Sequence, residues 1–295
     1  MADSERHSHF ESPLRYPGGK ACIFPFISNL FYENNLLGVN YAEPYAGGSG
    51  LALKLLFNEY VNEISINDFD YSIYSFWKSI LESNLRFCDW VEDVVIDIEN
   101  WQYFKSVQNN PEGYSQFELA QAVFFLNRTN ISGVIKGGPI GGIEQKGKYK
   151  INARFNKSDL IKRIERISSF KHRIRVSNLD GVSFIRNLNK SIHNTFIYLD
   201  PPYVHKGANL YMNYFKKKDH EKLARQVEKI NHTWLVSYDN NDFIINLYGK
   251  QKKLRYSLSQ SASNRVGNEI LVFAEHLKFN KSSEKLKNVE LIKYR

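Results

Sequence analysis

Four consecutive residues, Asp200-Pro201-Pro202-Tyr203, place an acid, two prolines and an aromatic ring directly after the apolar run Phe196-Ile197-Tyr198-Leu199. The prolines remove two backbone donors, and proline holds the residue before it out of the helical region. By chance, a specified tetrapeptide arises in a chain of this length about twice per thousand chains. Its position carries more weight, because ligands of open α/β sheets sit beyond the carboxyl ends of strands. There the segment presents the Asp200 carboxylate, a Pro201 carbonyl without a competing local donor, and the Tyr203 ring. Two acceptors and a flat platform suit a planar amine such as the amino group of a nucleobase. Accepting from both N–H bonds draws the nitrogen towards tetrahedral geometry and exposes its lone pair. The Asp200 charge also stabilises the cationic nitrogen that alkylation creates. The competing reading is a proline turn with Asp200 as a strand-end cap.

A second constellation is Glu43-Pro44-Tyr45-Ala46-Gly47-Gly48-Ser49-Gly50, between a strand and a helix. Glycines there let a backbone approach a ligand closely. Asp68, at the end of the next strand, is placed to grip ribose hydroxyls. The position three residues after Gly50 is Leu53, so the dinucleotide fingerprint G-x-G-x-x-G fails, and a nucleoside cofactor without phosphates fits better. A tight strand–helix turn with a helix-capping Asp is the alternative. Arg15-Tyr16-Pro17-Gly18-Gly19-Lys20 is a second glycine loop, in which a lysine after a turn is ordinarily an exposed charge. Asp180 lies between a strand and a helix start; it is either an N-cap or an acceptor for an adenine amino group.

Residues 128–163 hold nine Lys and Arg against Glu144 and Asp159, a net +7 of the chain's +9. Glycine loops carrying Arg128, Lys136, Lys146, Lys148, Lys150 and Arg154 suit phosphate contacts and groove entry. Asn127, Asn130 and Asn152 are candidate base readers, because Asn pairs bidentately with adenine. A solvated loop is the plain alternative. No Pro-Cys pair offers a nucleophile for carbon methylation of cytosine, and Cys22 and Cys88 lie in apolar helical contexts that predict core positions. No His/Cys cluster suits a metal, and no G-x-x-x-x-G-K-[ST] P-loop exists.

The elements that must position these groups alternate strand and helix, which predicts a mostly parallel α/β sheet. Strands are expected at Val39–Glu43, Ile64–Asn67, Ile174–Ser177, from Phe196, and at Trp234–Tyr238. Arg255–Leu258 and Glu269–Ala274 form an expected closing hairpin. Helices are expected around Ile23–Phe31, Leu51–Phe57, from Ile73, from Ser115 with Glu118 completing a capping box, and from Asp219. Residues 129–158, with six glycines and no helical period, read as loops and hairpins. The predicted organisation is a core of residues 1–70 and 170–275, interrupted by a helical and loop-rich lobe, residues 71–169. Residues 276–295 read as a basic, solvated tail.

The chain has 295 residues, 42% of them hydrophobic and 14% aromatic, enough for one large domain or a domain with an inserted lobe. A net +9 favours a polyanionic partner. Two cysteines make no disulfide framework, which points to a reducing compartment. The polar start MADSERHSHFESP lacks an apolar signal core, and no run of about 18 apolar residues spans a membrane.

Taken together, the motifs resemble the Dam-type DNA adenine methyltransferases, the alpha group of amino-methylating enzymes that use S-adenosylmethionine. Tyr16 to Lys20, Glu43 to Gly47, Asp68, a recognition region, Asp180 and Asp200 to Tyr203 follow that group's order. Phe125 to Gly133, FLNRTNISG, is similar to the opening of the family's recognition region. Trp234–Asp239 and Asn268–Phe273 are similar to its late strands. The resemblance implies a Rossmann-like methyltransferase sheet with helices on both faces and an inserted target-recognition lobe. It implies Tyr16, Gly19, Lys20, Glu43, Pro44, Tyr45, Gly47, Asp68, Asp180 and Asp200 at the cofactor site. Asp200, Pro201 and Pro202 would then hold the target amine, with Tyr203 stacked on a flipped base. The pattern departs at the family's Phe-x-Gly-x-Gly, where Tyr45 and Ser49 stand. The expected activity is methylation of the N6 amino group of adenine in double-stranded DNA. Methylation of the cytosine N4 amino group, and a catalytically degenerate DNA-binding scaffold, are the alternatives. An NAD-dependent oxidoreductase would explain neither the prolines nor the basic region. The expected setting is a monomer in the cytoplasm of a bacterium or of a phage-infected cell, without a metal or a membrane. Under a restriction–modification role, a cognate endonuclease joins DNA as a partner; a solitary or phage role needs none.

Overall fold

The computed structural model describes residues 11–16, 19–204, 215–260 and 265–292. The polar start, Pro17 and Gly18 of the first glycine loop, and the last three residues lie outside the described residues. Eight strands form one sheet: β1 (Asn40–Glu43), β2 (Ile64–Asn67), β3 (Ile174–Ser177), β4 (Thr195–Leu199), β5 (Thr233–Asp239), β6 (Lys252–Gln260), β7 (Arg265–Phe273) and β8 (Lys287–Ile292). Their spatial order is β3-β2-β1-β4-β5-β7-β6-β8. Strands β1 to β5 are parallel, and β7 runs antiparallel to both β5 and β6. The mostly parallel α/β sheet expected from the alternation of elements is present, and it is Rossmann-like, as the resemblance implied. Strands β4 and β5 are buried along their whole length, as parallel strands covered on both faces must be.

The chain steps outward from β1 to β3, returns to β4 beside β1, and then moves the other way. The β1/β4 boundary is therefore a topological switch point, and the carboxyl ends of these strands deliver Glu43 and Asp200 side by side. Helices α1 (Phe24–Glu33), α2 (Gly50–Phe57) and α3 (Tyr71–Glu82) belong to the first half. Helices α8 (Gly181–Leu188) and α9 (Lys217–Val227), which pack on each other, serve the second. Right-handed crossovers place the two groups on opposite faces.

Between β2 and β3 the chain adds α4 (Asn84–Asp93), α5 (Ile98–Asn109), α6 (Gln116–Thr129) and α7 (Lys157–Ser169). Helix α6 starts at Ser115 with the predicted capping box: Ser115 accepts from the Glu118 N–H, and Glu118 accepts from the Ser115 N–H. Rings of Phe76, Phe87, Trp90, Phe104, Phe124, Phe125 and Phe155 interlock into the core of this helical lobe. Helix α3 packs on both α6 and β3, so it joins the lobe to the sheet. Residues 130–156 are short 3₁₀ turns and one β-bridge, Asn130 with Pro139.

Two expectations change. Cys88 is buried, but Cys22 is exposed on the first turn, because Lys20 takes the inward position there. The C-terminal segment is not a free end: β8 pairs antiparallel with β6, leaving its side chains exposed. Leu277 and Phe279 are buried, and Phe279 stacks on Phe273 with centroids 4.1 Å apart. Glu33 on α1 accepts from the Lys281 and Ser282 N–H groups. The lysine-rich composition of this stretch describes its exposed face, while pairing uses the backbone, which composition does not report. Phe279→Ala is expected to cost about 3 kcal/mol of stability, measured by chemical denaturation; a loss near zero would mean the tail is not docked.

Candidate active site

The sheet's carboxyl edge gathers Glu43, Asp68, Asp200 and Asp239 at the ends of β1, β2, β4 and β5, with Glu269 reaching in from β7. At the centre, Lys20 is buried, and its Nζ lies 2.9 Å from Asp200 Oδ2 and 3.7 Å from a Glu269 carboxylate oxygen. Lys20 also donates to Tyr203 Oη at 2.7 Å, and Tyr203 Oη donates to Glu269 Oε1 at 2.9 Å. Tyr256 Oη donates to the other Glu269 oxygen at 2.8 Å. The second Asp200 oxygen accepts from Ser237 Oγ at 2.8 Å, which in turn accepts from Tyr198 Oη at 2.9 Å. Among the described residues no donor points at the Pro201 carbonyl. The Val204 N–H donates to Asp239 Oδ1, which fixes the chain just beyond Tyr203.

The glycine turn after β1 shows why the sequence is small there. Gly47 has φ +46°, and a Cβ on it would meet the Tyr16 ring at 2.7 Å. Tyr16 thus lies flat on the turn. The Gly47 N–H donates to Asp68 Oδ2 at 2.8 Å and its carbonyl accepts from Trp77 Nε1 at 3.0 Å, so α3 and β2 hold the turn from outside. Asp68 Oδ1 accepts from the Asp70 N–H. Ser49, at the family's last glycine, adopts φ +45°; a left-handed residue with a Cβ costs roughly 1 kcal/mol. Asp180 caps α8 through the Val182 and Ser183 N–H groups and Ser183 Oγ. Although burial raises its pKa, those bonds and the nearby Lys222 hold the carboxyl below its usual range. Tyr45 Oη is buried beside Gly181 and has no hydrogen-bond partner among the described residues.

The electrostatics are lopsided. Burial pushes Asp200 up, Lys20 opposes this and Glu269 adds to it. Burial lifts Glu43 to about 8, against a hydrogen bond from Tyr41 and with a further push from Asp200. Burial and the neighbouring Asp70 lift Asp68 to about 7. One buried lysine therefore faces three carboxyl groups, the buried Glu43 and Glu269 and the half-buried Asp200. Such a pocket favours an incoming cation. A ligand with a sulfonium and an ammonium group meets that demand, and the unpartnered Tyr45 hydroxyl and the glycine turn offer it polar and backbone contacts.

The predicted DNA-facing residues divide. Lys136, Lys146, Lys148, Lys150, Asn152 and Arg154 are exposed on the 130–156 loops; Lys146 pairs with Glu144 and Lys150 with the Gln145 carbonyl. Asn127, Arg128 and Asn130 are not available as base readers. Asn127 and Asn130 are 1% and 0% exposed, and Arg128 is buried. Asn130 accepts from Trp101 Nε1 and donates to the Val134 and Ile135 carbonyls. Arg128 holds the Arg154 and Pro13 carbonyls. These residues end a buried helix, where side-chain amides satisfy the carbonyls of the turns that follow.

Sequence reasoning missed Glu269, Ser237 and Tyr198, and it gave Lys20 little weight. The signal for Glu269 was an acid at the head of the apolar run Ile270-Leu271-Val272-Phe273. Ser237 and Tyr198 carried none beyond lying in buried strands.

Residues 16–261 match the D12 class N6 adenine-specific DNA methyltransferase family, so the chain belongs to that family and is an adenine-specific DNA methyltransferase using S-adenosylmethionine. Among curated proteins it is 25% identical over 238 residues to the Type II methyltransferase M.CviBI of Paramecium bursaria Chlorella virus NC1A, across 78% of this chain and 85% of that protein. Two solved structures are similar to it: a protein from Escherichia coli assigned as a methyltransferase, yhhF (TM-score 0.36, 12% identity, 88% and 90% of the two chains), and one from Listeria monocytogenes assigned as a class I S-adenosylmethionine-dependent methyltransferase (TM-score 0.35, 11% identity, 86% and 60%). Among the described residues no helix is long and apolar enough to cross a membrane, and no His, Cys, Asp and Glu group could hold a metal ion.

The raised carboxyl groups have a consequence for stability. Glu43 moves from 4.5 to about 8 on folding and Asp68 from 3.8 to about 7. The folded chain then binds more protons than the unfolded chain within those windows, so stability falls as pH rises through them, by up to ~1.4 kcal/mol per group and pH unit. Glu43→Gln is expected to flatten the loss between pH 5 and 8 in thermal melts of the ligand-free protein. An unchanged slope would assign the titration to other groups.

Proposed function

We propose that this methyltransferase acts on an adenine rotated out of double-stranded DNA, with Asp200 and the Pro201 carbonyl as the two acceptors for its amino group. The observation that carries the reading is the Asp200 environment: a half-buried carboxylate fixed by Lys20 on one oxygen and Ser237 on the other, next to a carbonyl that no donor among the described residues reaches. Each Asp200 oxygen keeps a further lone-pair direction for an incoming N–H. Tyr203 is the platform for the base, with its ring orientation set by Lys20 and Glu269 through the hydroxyl, and Pro202 stiffens the step between acceptor and platform.

S-adenosylmethionine supplies an electrophilic methyl group on sulfur. Tyr16, Gly19, Lys20, Glu43, Pro44, Tyr45, Gly47, Asp68 and Asp180 would hold it, with Asp68 and the glycine turn suited to a nucleoside and the Glu43–Asp200 carboxyl pair suited to cationic groups. The chain's own part would be to hold the amino group with its lone pair towards that methyl group, and no base is needed before attack. Asp200, as an acceptor for the amino group, would take the proton that the alkylated nitrogen gives up. Holding amine and methyl group in line supplies much of the rate.

The exposed Lys136, Lys146, Lys148, Lys150, Asn152 and Arg154 follow the DNA backbone. Their charge sets a steep loss of affinity with salt. The viral relative's Type II name favours a restriction–modification setting, in which a cognate endonuclease would be a partner. Asp200→Ala is expected to lower methyl transfer to duplex DNA by at least about 10³-fold while leaving a folded protein. The assay is tritiated-methyl incorporation, with nucleoside digestion of wild-type product. Retained activity would remove Asp200 from the mechanism, and N4-methylcytosine in the digest would reassign the base.

A further inference from the structure

Asn127, one of the residues expected to read bases, instead binds the protein's own amino-terminal segment. Asn127 Oδ1 accepts from the Arg15 N–H at 2.7 Å, and its Nδ2 donates to the Arg15 carbonyl at 2.7 Å and the Gly133 carbonyl at 3.0 Å. One buried amide thus satisfies both backbone groups of Arg15, as a neighbouring strand would. Gly133, at φ +75°, lies so close that a Cβ would meet the Arg15 carbonyl oxygen at 2.4 Å. The lobe holds the preceding residues as well. Arg128 reaches the Pro13 carbonyl at 3.4 Å, Arg163 the Ser12 carbonyl at 3.0 Å, and Arg166 pairs with Glu11 at 2.8 Å.

The next residues belong to the site. Tyr16 covers Gly47 and Gly48, and Lys20 bonds Asp200 and Tyr203. Residues 11–16 are therefore a strap anchored on the lobe, ending in a ring against the glycine turn, and Lys20 lies in the reaction centre. The loop that follows Asn127 carries the exposed Lys136, Lys146, Lys148 and Lys150.

We propose that Asn127 is a positioning residue that couples DNA engagement by the lobe to cofactor binding, by fixing Arg15 and thereby the adjoining Tyr16 on the glycine turn. A shift of the α6 end on DNA binding cannot leave Arg15 behind without breaking two short buried hydrogen bonds. Coupling of this kind is reciprocal, and its usual size is about 5- to 150-fold. The inference rests on the reading of Tyr16 as a cofactor-site residue.

The test is calorimetric affinity for S-adenosylmethionine with and without saturating genomic-fragment duplex DNA at low salt. Wild type is expected to show at least about a fivefold difference. In Asn127→Ala that factor is expected to fall towards one, with cofactor binding in the absence of DNA also weakened. A purely structural residue would lower thermal stability and leave the factor intact. Asn127→Asp keeps the acceptor for the Arg15 N–H and loses both donations; it is the variant to use if the alanine protein does not fold, and an intermediate factor is expected. An undiminished factor in both variants, or none in wild type, would overturn the coupling while leaving the active-site reading in place. A wild-type chain that binds no S-adenosylmethionine would overturn both.

Discussion

The ion pair between the buried Lys20 and the half-buried Asp200 is the interaction on which the centre depends. Asp200 ends a wholly buried strand, where an unpaired carboxylate is expensive. Lys20 arrives from an amino-terminal loop 180 residues earlier in the chain and stabilises the ionised form. Its remaining donor capacity holds Tyr203, and Glu269 balances the lysine from the far side. Removing any one of these groups would leave another charge buried without its partner, so the cluster is set as a unit.

The rest of the fold follows from the need to bring these groups together. Parallel pairing of β1 with β4 sets Glu43 beside Asp200. The antiparallel β7 supplies Glu269 between β5 and β6, and β6 contributes Tyr256 behind it. The amino-terminal strap is tied to the lobe through Asn127, Arg128 and Arg163, which gives the position of Tyr16 a mechanical origin outside the sheet. An excess of buried carboxyl groups over buried cations is tolerated because proton uptake relieves it in the ligand-free protein. A cationic cofactor relieves it in the working enzyme.

Much of this was legible in the sequence. The strands at Ile64–Asn67 and Ile174–Ser177, the capping box at Ser115, the turn after Glu43 and the Asp-Pro-Pro-Tyr end of β4 are local signals: apolar runs, cap chemistry and residues with restricted φ. Each specifies structure within a few positions of itself. The readings that failed concern burial. Asn127, Arg128 and Asn130 have the residue types of DNA readers, but they occupy the end of a helix packed on every side. Lysine-rich composition hid a tail whose backbone completes the sheet through β8 and whose Phe279 docks on Phe273.

By itself, the sequence determined the α/β order, the Asp-Pro-Pro-Tyr strand end, the glycine turn and the excess positive charge, because those are properties of residue type and short spacing. Only the tertiary structure decided which charges face one another. It made Lys20 the partner of Asp200, brought Glu269 and Ser237 to the site, and turned Asn127 and Arg128 inward to hold the strap. Partners 112 or 180 positions apart along the chain leave no local pattern, and whether a polar side chain meets water or a buried carbonyl depends on what packs above it.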